Sequence, residues 1–174
     1  RRVWTRATKP LGPLMQAAAY SSTPEIVKLL IDYGAELEAR NKFDMTPLIV
    51  AAAHSTSVEI VKLLIDSGAE LDASDPLGMT PLLFATGNSS PPEIVKLLID
   101  SGAGLDVADP LGMTPLMYTA QFSSSPEIVQ ALLDKGADPL ARNKDGKMAI
   151  DYAKKNKMLV GTKAYQRLLD KSLE

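Results

Sequence analysis

The sequence predicts an all-α solenoid, a stack of near-identical helix–turn–helix units, and three observations carry that prediction. The octapeptide DPLGMTPL occurs at 75–82 and again at 109–116. Shifting the chain by 34 residues aligns most of it: residues 45–78 and 79–112 agree at 23 of 34 positions. Each copy sets turn residues between two short stretches whose apolar residues lie on one helical face, and neither stretch could bury that face alone. Residues 11–44, 45–78, 79–112 and 113–146 are four full units, and a degraded copy over 147–174 reads as a C-terminal cap. Residues 1–10 are a short extension, and the whole chain, 1–174, is one domain.

Within a unit, Asp75-Pro76-Leu77-Gly78 places Asp at i, Pro at i+1 and Gly at i+3, as a type I turn requires. Thr80-Pro81 follows, a hydroxyl N-cap and then the residue tolerated at the first helical position. A first helix runs from Thr80 to about Asn88, with small Ala85 and Thr86 allowing close packing. Ser and Pro at 89–92 break it, and EIVKLLID starts a second helix. Ile94, Val95, Leu97, Leu98 and Ile99 are its core side, and Glu93, Lys96 and Asp100 face water. Gly102 stands where a left-handed residue ends the helix. Lys28, Lys62 and Lys96 precede Asp32, Asp66 and Asp100 by four residues, so three ion pairs are expected on solvated outer faces.

This order (turn, TPL, Ala-rich helix, EIVKLL, then GA with an acid) strongly resembles the ankyrin repeat over about residues 11–170. The tetratricopeptide repeat shares the period but not the turn ahead of a Thr-Pro helix start. The resemblance implies an ankyrin-repeat solenoid with projecting β-turn fingers. Three departures stand out. The unit has 34 residues rather than the family's 33, with one residue added between the helices. The His that follows TPL in the family is replaced by Ile49, Leu83 and Met117, so its hydrogen bonds between neighbouring turns are expected to be missing. Asp44 occupies the position of Gly78, Gly112 and Gly146, a site of local backbone strain.

Charge is unevenly placed: residues 1–9 carry +4, residues 10–141 carry −11 and residues 142–174 carry +5. An acidic array with basic ends does not bind nucleic acid, because phosphate neutralisation needs clustered Lys and Arg along the contact face. The acids either steer a cationic partner or simply keep a stacked array soluble and monomeric. No run of about 18 apolar residues is present, so no membrane span is expected. RRVWTRATK lacks the apolar stretch of a signal peptide. With no cysteine the compartment is open; cytoplasmic is the expectation, and a trimmed signal would instead make it periplasmic or secreted.

Catalytic chemistry finds little material. The lone His54, without cysteine, makes neither a triad nor a zinc site. Carboxylate pairs such as Glu36/Glu38, Glu70/Asp72 and Asp106/Asp109 recur with the repeat, whereas catalysis needs one irregular site. No enzyme activity, cofactor or metal is expected.

The resemblance implies contacts on a concave side made of turn tips and first-helix ends. The candidate partner-binding residues there are Tyr20, Arg40, Lys42, Phe43, Met45, His54, Leu77, Met79, Asn88, Leu111, Met113 and Phe122. Three successive tips hold an apolar pair, Phe43/Met45, Leu77/Met79 and Leu111/Met113, which is either a contact surface or packing between fingers. Tyr20, His54 and Phe122 vary where the scaffold is copied, by selection for contact or by drift. The expected function is a protein–protein interaction module for an unidentified protein partner. The alternative is an accessory or targeting domain of a larger enzyme or effector; Trp4 is expected to lie over the first repeat or against a segment upstream of it.

Overall fold

The computed structural model describes residues 12–88 and 90–173, so Trp4 and the 1–10 extension lie outside the described residues. All regular structure among the described residues is helical: α1 Pro13–Tyr20, α2 Pro24–Asp32, α3 Pro47–His54, α4 Val58–Asp66, α5 Pro81–Gly87, α6 Pro92–Asp100, α7 Pro115–Phe122, α8 Pro126–Asp134, α9 Ala149–Ala153 and α10 Lys163–Lys171. The first helices stack in one layer, α1 on α3 on α5 on α7 on α9. The second helices form the other layer, α2 on α4 on α6 on α8 on α10.

Burial follows from that stacking. Ile60, Ile94 and Ile128 repeat one position and are at most 2% exposed, whereas Ile26, the same position in α2 with no described neighbour before it, is 48% exposed. Each fully buried isoleucine side chain contributes about 1.5–3 kcal/mol relative to exposure. Leu97 is only partly buried, short of the expectation, because it sits at the edge of the α6 face.

The local devices are those the residues require. Thr46, Thr80 and Thr114 accept from the backbone N–H groups of Ile49, Leu83 and Met117, each at 3.3 Å, and Pro fills the first helical position. Met148, which replaces the threonine, has no hydroxyl; the Asp151 carboxylate instead accepts its N–H at 3.0 Å. That bond, against a smaller opposing effect of burial, holds the Asp151 carboxyl below its ordinary range. Gly102, at φ +92°, lets Ala103 N–H reach the Leu98 carbonyl and end α6.

Each finger is closed by its first residue. The Asp75 carboxylate accepts from the N–H groups of Leu77 and Met79, both at 2.9 Å, while Gly78 N–H donates to the Asp75 carbonyl. Asn41, Asp109 and Asn143 do the same in their fingers. Asp44 is the only described non-glycine residue at positive φ, at 62° where Gly78 takes 71°.

Fingers are also joined to one another, by hydrogen bonds that do not involve the position of the missing histidine. The Arg40 guanidinium donates to the Asp44 carbonyl in its own finger and to Ser74 in the next, both at 2.7 Å. Lys144 N–H donates to the Leu111 carbonyl at 2.9 Å. A ladder of carboxylates adds three rungs: Glu38 to Glu70 N–H, Asp72 to Gly104 N–H and Asp106 to Asp138 N–H, at 2.9, 2.8 and 3.1 Å. Part of the repeated acid is therefore structural. On the outer face Lys28–Asp32 and Lys62–Asp66 form as expected, but Asp100 pairs with Lys135 of the next repeat rather than with Lys96.

Two tyrosines latch fingers to helices. Tyr118 OH donates to the Asp109 carboxylate at 2.8 Å, and Asn143 donates to Tyr152 OH at 2.7 Å. Burial first, and then the Asp109 bond, pushes the Tyr118 hydroxyl up to about 12 from 10.0.

Three measurements check these devices. Asp44→Gly is expected to raise stability in urea unfolding by about 0.5–1 kcal/mol, since it relieves a left-handed side chain. Asp72→Ala removes one rung and is expected to lose about 1 kcal/mol, with Asp72→Asn losing less because an acceptor remains. A raised phenol pKa means stability that is complete below the unfolded value and lost as the group ionises. The advantage of the wild type over Tyr118→Phe should then be flat below pH 10 and decline between pH 10 and about 12; equal slopes through that window would refute the latch.

Candidate functional site

Closure of the finger by its Asp or Asn decides what the tip displays. The N–H of the third turn residue points inward to the carboxylate or amide, and the side chain of that residue remains outside. Phe43, Leu77 and Leu111 occupy this position and are 61%, 61% and 64% exposed. Three large apolar side chains thus stand in register on consecutive fingers, flanked on the second and third fingers by exposed Pro76 and Pro110. In the fourth finger the position is Asp145, so the apolar row ends there. Lys42 lies over the Phe43 ring with its ammonium 4.8 Å from the centroid, which closes the row at the other end with a cation.

The methionines behave differently. Met113 is buried, at 6% exposure, and its sulfur receives the Asn143 amide at 3.5 Å. It is therefore core between the third and fourth fingers, and its place among the partner-binding candidates is corrected. Met45 and Met79 are partly buried behind their tips. Arg40 is also half-buried, with its guanidinium engaged by two carbonyls, which makes it a link between fingers.

A second row runs along the first-helix ends. Tyr20, His54, Asn88 and Phe122 recur every 34 residues and are all exposed. Tyr20 and His54 stack across the first two repeats with ring centroids 6.2 Å apart. The Tyr118 ring stacks on Phe122, also at 6.2 Å, while its hydroxyl holds Asp109 at the base of the third finger. The tip row and the helix-end row are therefore joined on one face by Tyr118. Sequence reasoning passed over Tyr118. The available signal was a tyrosine nine residues after the turn Asp or Asn, at 118 after 109 and at 152 after 143.

The site offers little for chemistry. Among the described residues no group of three or more His, Asp or Glu is placed to hold a metal ion. No described helix is long and apolar enough to cross a membrane. A hollow of about 590 Å³ lies beside α1 and α2, lined by Leu14, Met15, Leu30 and Tyr33 among others, away from the central tips.

No curated protein matches the chain significantly. A family model described as ankyrin repeats (3 copies) matches residues 14–109 and 87–172, nearly the whole of the described chain. With its stacked helix pairs and projecting turns, the chain belongs to the ankyrin-repeat family, whose members are generally protein–protein interaction modules.

Proposed function

We propose that the chain is a non-catalytic, monomeric binding module that grips a protein partner on the finger tips and the adjoining first-helix ends. The carrying observation is the row Phe43, Leu77 and Leu111, each more than 60% exposed and none needed by the core. Exposed apolar side chains in a contiguous row mark interaction surfaces, and a few such anchors supply most of the binding free energy. Tyr20, His54, Asn88 and Phe122 supply a second, more varied line of contacts. Lys42 sits at the edge, where a charge governs approach more than residence time.

Affinity capture with the wild type and with the Phe43→Glu, Leu77→Glu, Leu111→Glu triple variant tests this reading. The three positions are exposed, so the variant is expected to keep its helical circular dichroism and to unfold within about 1.5 kcal/mol of the wild type. Its recovery of specifically bound protein should fall at least about tenfold, roughly 1.4 kcal/mol. A folded variant that recovers the same proteins equally well would overturn the tip assignment.

A further inference from the structure

We infer that the hollow beside α1 and α2 is a docking site for the chain's own residues 1–11, which lie outside the described residues, and that Trp4 is the side chain seated in it. This arm covers the first repeat from the side on which every later repeat has a predecessor.

The later repeats show how this position is normally covered. Pro47, Pro81 and Pro115 open α3, α5 and α7 and are buried, and the threonines ahead of them are at most 6% exposed. Each follows a finger and lies against the repeat before it. Pro13 opens α1 in the same way but is exposed, and it borders the hollow of about 590 Å³. The walls are mainly apolar, with Leu14, Met15, Leu30, Ala35 and Ala39 among them, and Tyr33 at 84% exposure. The hollow also takes in Gly12, the residue to which 1–11 is joined, so the arm needs no long loop to reach it.

Register decides which side chains arrive. The 34-residue shift that aligns the repeats lays Leu11-Gly12-Pro13-Leu14 on Met45-Thr46-Pro47-Leu48, so residues 1–11 fall on 35–45. Val3 takes the place of Leu37, Leu71 and Leu105, each partly buried and packed on the core. Trp4 takes the place of Glu38, Asp72 and Asp106, whose carboxylates reach the backbone N–H group 32 residues on. The residue 32 beyond Trp4 is Glu36, part of the hollow's wall. Arg6 takes the place of Arg40, whose guanidinium reaches the Ser74 carbonyl 34 residues on. The matching carbonyl for Arg6 is that of Arg40, also on the wall. Two separate cross-repeat contacts of the first finger thus direct residues 4 and 6 to the same hollow. An indole at the rung position exchanges a carboxylate for a large apolar ring, which suits apolar walls.

The arm is not a complete finger. Ala7 stands where Asn41, Asp75, Asp109 and Asn143 close their turns with a side-chain oxygen. Pro10 stands where Asp44 takes φ 62° and Gly78 takes 71°, values that a proline ring forbids. Residues 7–10 therefore do not repeat the closed tip. The register is carried by Val3, Trp4 and Arg6 on one side of them and by Leu11 on the other.

Trp4 is the chain's only tryptophan and the chain has no cysteine, so its emission reports on the arm alone and one introduced cysteine carries one label. A short-range nitroxide quencher is attached to the full chain at Glu36→Cys, Glu70→Cys or Glu127→Cys, all exposed positions, with circular dichroism confirming the helices. The label at 36 is expected to quench Trp4 several-fold more than the label at 127, with the label at 70 between them. The difference should vanish in urea and persist on dilution, and the emission of the unlabelled chain should shift to the red on unfolding. Trp4→Ser is expected to lower the thermal midpoint by about 2–4 °C. Equal quenching from 36 and 127, an emission maximum that unfolding does not move, or an unchanged midpoint in Trp4→Ser overturns the seat. Quenching at 36 that fades on dilution gives the hollow to a second copy of the chain and also overturns it.

Discussion

The structure depends on registered stacking of helix pairs too small to bury anything by themselves. A helix of eight or nine residues has one apolar stripe, and that stripe is covered only when the next repeat lies against it. The contrast between half-exposed Ile26 and fully buried Ile60 is this constraint seen at a single position. Register matters as much as burial, because the carboxylates of Glu38, Asp72 and Asp106 each reach one backbone N–H of the following repeat. A slip of one residue would strand all three rungs.

Stacking also produces the surface. Once repeats are held at a fixed pitch, any position of the unit becomes a row. The turn Asp or Asn draws the finger's N–H groups inward, so the third turn residue is displayed and not packed. What a chain writes at that position is free of the fold, and here three repeats write Phe, Leu and Leu. The same logic separates Met113 from Leu111, two residues apart on one finger: Met113 lies under the next finger's Asn143, and Leu111 lies above it.

The repeats are not equally braced. The first two fingers are tied by the Arg40 side chain and the last two by a backbone bond from Lys144. Among the described residues, the third and fourth fingers alone are latched to helices by tyrosine. These bonds link fingers without the histidine that follows TPL in the family, and with different atoms at the two ends of the stack.

The sequence by itself determined the repeat, the helix starts and the turns, because these rest on local chemistry: Thr before Pro, Gly after an amphipathic octamer, Asp ahead of Pro-Leu-Gly. Even the strained Asp44 was legible from alignment of the copies. Tertiary structure decided which copied residues are core and which are surface. Leu111 and Met113 carry the same apolar signal in sequence, and only the neighbouring finger separates them. It also decided the partners of repeated charges: Asp100 chose Lys135 over Lys96, and Asp72 became a rung instead of a free surface acid, since both depend on a residue about one repeat away. Local patterns reach across three or four residues of a helix or turn. The contacts that make the candidate site reach across a repeat of 34, where spacing along the chain no longer reports distance in space.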